Sequence, residues 1–219
     1  MEHSENGQNA VNSSNCPYEL WNEETVFAGR WMTAKQVQFR LRGTQTEGVW
    51  QSAHRANKPF TKNPDGVDIV AVLKKNDKKY FILVRQYRIP TRCWMLEFPA
   101  GLVDSKDSDV EATGLRELKE ETGYTATKVL NISTGKQILD PGIGDDSVRF
   151  MTVEVDGSLE VNQNPKQELE GDEHIQVITV ECDKLLEYLE EVNKSEDTEV
   201  EAMLYTFALG YSLRNKFGL

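Results

Sequence analysis

The sequence has few cysteines, no long apolar run and no excess of basic residues. Its three cysteines, Cys16, Cys93 and Cys182, are widely separated and form no CxxC pair. This pattern indicates reduced thiols of an intracellular protein rather than a disulfide framework or a zinc site. No run approaches the ~20 apolar residues of a membrane-spanning helix, and the polar opening segment lacks the apolar stretch of a secretory signal. We therefore expect a cytoplasmic protein, with the nucleus as an alternative compartment.

Acidic residues outnumber basic ones. The 36 Asp and Glu residues against 25 Lys and Arg give a net charge of -11 and a pI near 4.9. A nucleic-acid backbone would require a basic stripe, so this balance argues against such a partner. An anionic small molecule would have to be bound by local arginines and a metal ion.

Composition divides the chain into a tail, a small sheet and a main domain. Residues 1–16 are polar and rich in Asn and Ser, which predicts a disordered tail. Residues 17–60 contain β-branched stretches from Glu24 to Ala56, broken at Gly29 and between Gly43 and Gly48, which predict an antiparallel meander. We assign this meander to dimerisation and residues 61–219 to the main domain.

The main domain alternates between strand and helix patterns. The stretches Val67–Leu73 and Tyr80–Arg85 flank a turn-like segment and predict a buried hairpin. Further strands are predicted at Val148–Val155 and Ile175–Val180, and apolar residues at helical spacing predict two helices near the end of the chain. Mixed strands with helices on both faces predict an α/β/α sandwich, with the meander as a small added sheet.

An acidic helix follows the strand-like segment at Trp94–Phe98. Residues three and four apart share a helix face, so Glu117, Glu120 and Glu121 project together and repel one another. Hard divalent cations such as Mg²⁺ take oxygen ligands and would offset that repulsion. A solvated acidic face with ordinary salt bridges is the alternative for an isolated cluster of this kind.

The ends of this helix can be read from the sequence. Ser108-x-x-Glu111 fits a capping box, and Asp109 adds a negative charge near the positive end of the helix dipole. Gly123 fits a C-terminal stop. We therefore expect the helix to begin near Asp109 and to end at Gly123.

The segment Gly101–Tyr124 resembles the Nudix box. Fourteen residues rather than thirteen separate Gly101 from Arg116, and either Asp107 or Ser108 replaces the early Glu of the pattern. The matching residues are Gly101, Arg116, Glu117, Leu118, Glu120, Glu121, Gly123 and Tyr124.

This resemblance implies a metal-dependent hydrolase. In the Nudix pattern Arg116 orients the glutamates, and Mg²⁺, for which Mn²⁺ can substitute, is held by side chains and one main-chain oxygen. The implied ligands are Glu117, Glu120, Glu121 and the carbonyl oxygen of Ala100.

The rest of the chain resembles the ADP-ribose and ADP-sugar pyrophosphatases of that superfamily. The segments that carry this likeness are Gly29–Trp31, Trp50 with Arg55, Gln86–Arg88, Glu97–Gly101, Asp140–Gly142 and Gly171–Glu173. It implies that Trp31 and Trp50 sandwich the adenine, with the surface completed by a second subunit of a homodimer. Arg55, Arg88 and Asp140 match substrate-binding positions.

The implied reaction is hydrolysis of ADP-ribose, or of other ADP-sugars, to AMP and the sugar phosphate. Glu117 and Glu121 are the expected catalytic residues, together with Glu173, which matches a late glutamate that binds metal or acts as a base. Glu168, Glu170 and Asp172 lie close by in the sequence, so the identity of the base stays open. A Nudix hydrolase of oxidised nucleoside diphosphates and a non-catalytic module that binds ADP-ribose are the alternatives.

Overall fold

A computed structural model describes residues 15–56, 63–104, 107–171 and 173–218, which divide into two compact units. The first unit holds the described residues up to 56 together with Leu139–Asp146, and the second holds the remainder. The predicted disordered tail, residues 1–16, lies outside the described residues except for its last two. Among the described residues, no helix is long and apolar enough to cross a membrane.

The first unit contains the predicted small antiparallel sheet. Its strands are β1 (Tyr18–Ala28), β2 (Met32–Leu41) and β3 (Glu47–Arg55), in the order β1-β2-β3. The sheet begins earlier than the predicted Glu24. Register shifts between Trp21 and Glu24 and between Thr25 and Phe27 interrupt the period-2 alternation along β1, so this strand is hard to recognise from its pattern.

The second unit is built on a mixed sheet. The central strand β4 (Gly66–Lys75) pairs in parallel with β10 (Ser147–Asp156) and antiparallel with β5 (Lys78–Arg88), and β5 also pairs with β6 and β11. The other strands are β6 (Cys93–Glu97), β7 (Ala100–Leu102), β8 (Lys128–Ile132), β9 (Gln137–Ile138), β11 (Ile175–Glu181) and β12 (Thr198–Val200).

Helices cover both faces of this sheet, so the predicted α/β/α sandwich is confirmed. The helices are α1 (Val110–Thr122), α2 (Glu160–Gln163), α3 (Leu185–Val192) and α4 (Ala202–Phe217). Leu118 of α1 belongs to one buried cluster, whereas Leu189 of α3 and Leu204 of α4 belong to another. The adjacent residues Ile82 and Leu83 fall into opposite clusters, as the alternation of side chains along a strand requires.

The end of α1 depends on a glycine, as predicted. Gly123 has a φ of 75°, and its N–H donates to the Lys119 carbonyl at 2.9 Å. The backbone after α2 runs directly against it, because a Cβ at this position would lie 2.4 Å from the Lys166 nitrogen and 2.7 Å from the Pro165 carbonyl carbon. Gly123 is therefore required both for its left-handed backbone and for its lack of a side chain.

A matched pair of substitutions separates these two requirements. Gly135 has the same φ of 75° with nothing within 4 Å of an added Cβ, so Gly135→Ala should lower the free energy of unfolding by about 1 kcal/mol. Gly123→Ala should lower it by about 1–3 kcal/mol more, the typical cost of overpacking. Urea unfolding followed by circular dichroism measures both losses. Equal losses would contradict the close approach of the two segments.

Candidate active site

The acidic helix α1 begins one residue later than a cap at Ser108 would place it. Its N-cap is Asp109, whose side chain accepts a hydrogen bond from the Ala112 N–H at 2.9 Å, and Ser108 instead donates its hydroxyl to the Asp109 carboxylate. The capping box that pairs Ser108 with Glu111 is therefore wrong. A carboxylate at this position satisfies a helix N–H and also faces the positive end of the dipole, which favours Asp109 over its neighbour.

One guanidinium group organises the middle of α1. Arg116 donates to both carboxylate oxygens of Asp107, from Nε at 3.1 Å and from Nη2 at 2.8 Å. Its Nη1 lies 2.9 Å from Glu117 and 2.8 Å from Glu120. Charge-assisted and bidentate pairs of this kind fix both distance and plane. Arg116 thus orients two of the three predicted acids of the helix.

Of the two residues that could replace the early Glu of the box, the structure brings Asp107 to the arginine. The Asp107 side chain is buried and also accepts hydrogen bonds from the Thr113 hydroxyl at 3.0 Å and the Asp104 N–H at 3.2 Å. Hydrogen bonds from Arg116 lower the pKa of Asp107 to about 2, although burial acts in the opposite direction. The carboxylate is therefore ionised wherever the protein is folded at ordinary pH.

Glu117 and Glu121 have the opposite electrostatic environment. The Glu121 side chain is buried and accepts a hydrogen bond from the Ala100 N–H at 3.0 Å. Burial raises the pKa of Glu117 to about 7, against the attraction of Arg116, and raises the pKa of Glu121 to about 8. The charge of Glu117 adds to the shift of Glu121, and the charge of Glu120 adds to that of Glu117. Two acids on one helix face are thus held where negative charge is unfavourable.

The strand β7 runs across these acids. A Cβ at Gly101 would lie 1.9 Å from Cδ of Glu117, so a side chain there would occupy the position of the carboxylate. Within the described parts of the chain, no three Asp, Glu, His or Cys side chains are already grouped as a metal-ligand set. The donor set nevertheless fits a hard divalent cation, since such an ion would stabilise the charged carboxylates that burial disfavours.

A third acid acts on the same pair. Glu173 lies in the loop between α2 and β11, and its charge raises the pKa values of Glu117 and Glu121. Its carboxylate accepts a hydrogen bond from the Glu170 N–H at 2.9 Å. The structure thus brings the predicted late glutamate to the side of the sheet that carries α1.

Arg88, the last residue of β5, is paired with a buried acid. Arg88 donates from Nε to Glu97 at 3.0 Å and lies 3.0 Å from it through Nη2. Glu201, at the start of α4, was not predicted, because no motif includes it. Burial, together with the charges of Asp68 and Glu97, raises the pKa of Glu201 to about 8. This partly buried acid interacts electrostatically with the predicted substrate arginine, Arg88, and no local sequence pattern reveals this relation.

The remaining predicted binding residues lie in the first unit. Trp31 and Trp50 are 73% and 53% exposed, so neither is a core residue of the chain. Arg55 donates to both carboxylate oxygens of Asp146, at 2.8 and 2.6 Å. Asp140 begins a turn, where its carbonyl accepts from the Ile143 and Gly144 N–H groups and its carboxylate from that of Gly142.

Known proteins match both the sequence and the fold. Residues 62–202 match the NUDIX domain family. A Caenorhabditis elegans protein named as nudix hydrolase 2 is 42% identical over 210 residues, which cover 96% of this chain and 92% of that protein. The ADP-ribose pyrophosphatase of Saccharomyces cerevisiae is 39% identical over 140 residues, 63% of this chain and 59% of that protein.

Two further likenesses extend over most of the chain. The ADP-sugar pyrophosphatase of Mus musculus is 28% identical over 207 residues, 94% of this chain and 93% of that protein. The crystal structure of an ADP compounds hydrolase matches with a TM-score of 0.61 at 21% identity, covering 93% of this chain and 98% of that one. At that identity the structural likeness concerns the fold.

The pairing of Asp107 with Arg116 makes a prediction about acid stability. Asp107→Asn should lower the free energy of unfolding at pH 7 by about 2 kcal/mol, since it weakens hydrogen bonds to a charged group. The pKa of Asp107 is lower in the folded protein, so this contribution is complete above about pH 4 and is lost as the pH falls towards 2. The deficit of the variant should therefore shrink over that interval in chemical denaturation curves. Ser108→Ala is the control and should unfold with nearly the parental free energy. An equal loss of stability in this variant would contradict the role assigned to Asp107.

Proposed function

The chain belongs to the Nudix family, and from this premise we propose that it hydrolyses the diphosphate of ADP-ribose in the presence of Mg²⁺. Water adds to one phosphorus atom as the bridging P–O bond breaks, which yields AMP and ribose 5-phosphate. The observation that carries the proposal is the pair of Glu117, which is partly buried, and Glu121, which is buried, next to the Ala100–Gly101 backbone. Two similar proteins, from yeast and mouse, are named ADP-ribose and ADP-sugar pyrophosphatases, so other ADP-sugars are further candidate substrates.

The proposed metal ligands come from three segments of the second unit. Glu117, Glu120 and Glu121 come from α1, and the carbonyl oxygen of Ala100 comes from β7, with Glu173 from the loop before β11 as a further ligand or as the base. Hard oxygen donors and a diphosphate substrate favour Mg²⁺, with Mn²⁺ as a substitute. When bound, the cation neutralises the diphosphate and activates water. Arg116 keeps two of these carboxylates in place.

Product identification tests the reaction. Purified protein incubated with ADP-ribose and Mg²⁺ should give AMP and ribose 5-phosphate in equal amounts, resolved by chromatography, and a chelator should abolish both. Faster turnover of oxidised nucleoside diphosphates would favour the first alternative substrate class. Saturable binding of ADP-ribose without any product would identify a non-catalytic module.

Strand register supports an adenine site that is shared between two subunits. Trp50 pairs with Val37 near the middle of the sheet, whereas the Trp31 carbonyl accepts from the Ala56 N–H just beyond the end of β3. The two tryptophans are therefore separated by six residues along β3, or roughly 20 Å of strand. A base stacked on both faces requires rings about 7 Å apart, so one chain does not bring both tryptophans to one adenine.

The first unit also has the surface that a homodimer would cover. Tyr18, Leu20 and Trp50, with Phe39, line an apolar groove of about 300 Å³, and Leu20 is 61% exposed. A small isolated sheet with such side chains in water is marginally stable. A two-fold interface would cover this surface with a like one. We therefore include a homodimer, with Arg55 and Asp140 as further substrate-binding residues of the first unit and Arg88 of the second.

Glu121→Gln should separate catalysis from stability. Glutamine keeps the shape of the side chain but removes the charge, so Mg²⁺-dependent kcat should fall by orders of magnitude, at ~1.4 kcal/mol per factor of ten. Burial raises the pKa of Glu121 from 4.5 to about 8, so the free energy of unfolding of the metal-free protein falls as the pH rises between those two values and stays at the lower level above them. The variant should therefore melt at a higher temperature than the parent in chelator at pH 9, with little difference at pH 4. Parental turnover with unchanged Mg²⁺ dependence would refute the metal assignment.

Mixed dimers test the shared site. Trp50→Ala alone should raise KM for ADP-ribose by about one to two decades, the loss of one stacking contact. When it is co-expressed with Glu121→Gln, random pairing makes about half of the dimers mixed. If Trp50 acts across the interface, one of the two sites in each mixed dimer is intact, and at ADP-ribose concentrations well below KM about a quarter of the parental activity returns. Activity no higher than that of the separate variants, or a fully active monomer in light scattering, would exclude the shared site.

A further inference from the structure

The loop that carries Glu173 is fixed at its beginning to the helix that carries the other acids. The Gln167 side-chain amide donates to the carbonyl oxygens of Glu121 and Ile175, at 2.6 and 3.0 Å. The Glu168 N–H donates to the Glu120 carbonyl at 2.8 Å. These contacts satisfy carbonyl groups in the last turn of α1, which have no partner within the helix. The start of the loop therefore has a defined position relative to the proposed ligands.

The other end of the loop is held by an aromatic contact. His174 directly follows Glu173, and its ring lies 5.6 Å from the indole of Trp94, tilted by 54°. Trp94 is on β6, so this contact joins the residue before β11 to a different strand. The ladder between β11 and β5 begins only at Ile175, opposite Gln86. The ring contact thus extends the fixed part of the chain to the residue next to Glu173.

Trp94 is itself held by surrounding groups. The Arg85 guanidinium lies 4.4 Å from the indole centroid and donates to the Thr198 hydroxyl at 2.8 Å and to Asp197 at 3.0 Å. Tyr87, directly opposite Trp94 in the strand register, packs edge-on at 5.8 Å. A cation over an indole face and an edge-to-face ring pair are both favourable arrangements. The indole is therefore a fixed surface for the His174 ring.

We propose that His174 is a positioning residue, whose ring on Trp94 holds the end of the loop so that the Glu173 carboxylate faces Glu117 and Glu121. This inference rests on the proposed role of Glu173 as a metal ligand or base. The His174 ring contacts the Trp94 indole, whereas the neighbouring Glu173 acts on the acids of α1. We therefore assign the role of His174 to ring packing and not to its nitrogen atoms. Mutation of residues that orient metal ligands without touching the metal typically lowers metal affinity or activity by about 10–100-fold.

Two substitutions at this position distinguish a ring from an imidazole. His174→Ala removes the contact with Trp94, so the Kd for Mn²⁺ measured by titration calorimetry should rise about tenfold and kcat should fall by a similar factor. His174→Phe keeps a flat ring without nitrogen atoms and should restore both values to within about threefold of the parent. The KM for ADP-ribose should change little, because the loop is expected to act on the metal. Thr179→Ala, at an exposed position further along β11, is the control and should leave both values unchanged.

The outcomes separate positioning from other roles and from failure of the proposed function. A Phe variant as impaired as the Ala variant would show that the nitrogen atoms matter and would overturn the proposal. An Ala variant with parental Mn²⁺ affinity and kcat would overturn it as well, even if its melting temperature fell. If the parent binds Mn²⁺ but does not hydrolyse ADP-ribose, the proposed function fails, while the calorimetric comparison of the two variants still tests His174.

A second substitution tests whether the effect runs through Trp94. Trp94→Leu should weaken Mn²⁺ binding by about the same factor as His174→Ala, and the double variant should be no weaker than the single ones, because both changes remove one contact. Multiplicative losses in the double variant would show that the two residues act independently and would contradict the proposed contact. Circular dichroism of each variant confirms that the comparison is made between folded proteins.

Discussion

The Arg116 guanidinium joins the segments on which the candidate site depends. It bonds to Asp107 before α1 and to Glu117 and Glu120 within the helix, at 2.8 to 3.1 Å. Without it the acids of this helix face would repel one another, and Asp107 would lose its bidentate partner. The helix keeps Glu117 and Glu120 at defined positions because both lie within 3 Å of this cation.

Several features of the candidate site lower the stability of the metal-free protein. Burial makes the charged forms of Glu117 and Glu121 unfavourable, and at two glycines an added Cβ would meet atoms of other residues at less than 3 Å. Gly101 adjoins the Glu117 carboxylate, and Gly123 adjoins Lys166. Natural sequences tolerate such conflicts mainly where function requires them. A divalent cation among these oxygens would attract the buried carboxylates. Their negative charge is therefore unfavourable in the metal-free protein and would become favourable once the cation is bound.

Local patterns predicted the elements whose residues interact along the chain. The acidic face of α1 and its stop at Gly123 follow from helical spacing and from the glycine alone, and the hairpin of β4 and β5 follows from apolar runs around a turn. The cap was misplaced because Ser108 and Asp109 are both good caps and only the structure distinguishes them. The short strands β9 and β12 have too few residues for a pattern. The inclusion of Leu139–Asp146 in the first unit depends on long-range pairing, such as that of Ala53 with Gly144, which has no local signal.

The charge of the chain explains why metal and substrate should bind together. The protein carries a net charge of -11, and the two arginines proposed to contact substrate are already paired, Arg55 with Asp146 and Arg88 with Glu97. Each pair is nearly neutral as a unit, so it orients a guanidinium fork but attracts a diphosphate only weakly from a distance. Glu117 and Glu121 would repel that anion directly. A divalent cation reverses the sign at this point, so it supplies the main attraction for the diphosphate, and each ligand is expected to raise the affinity for the other.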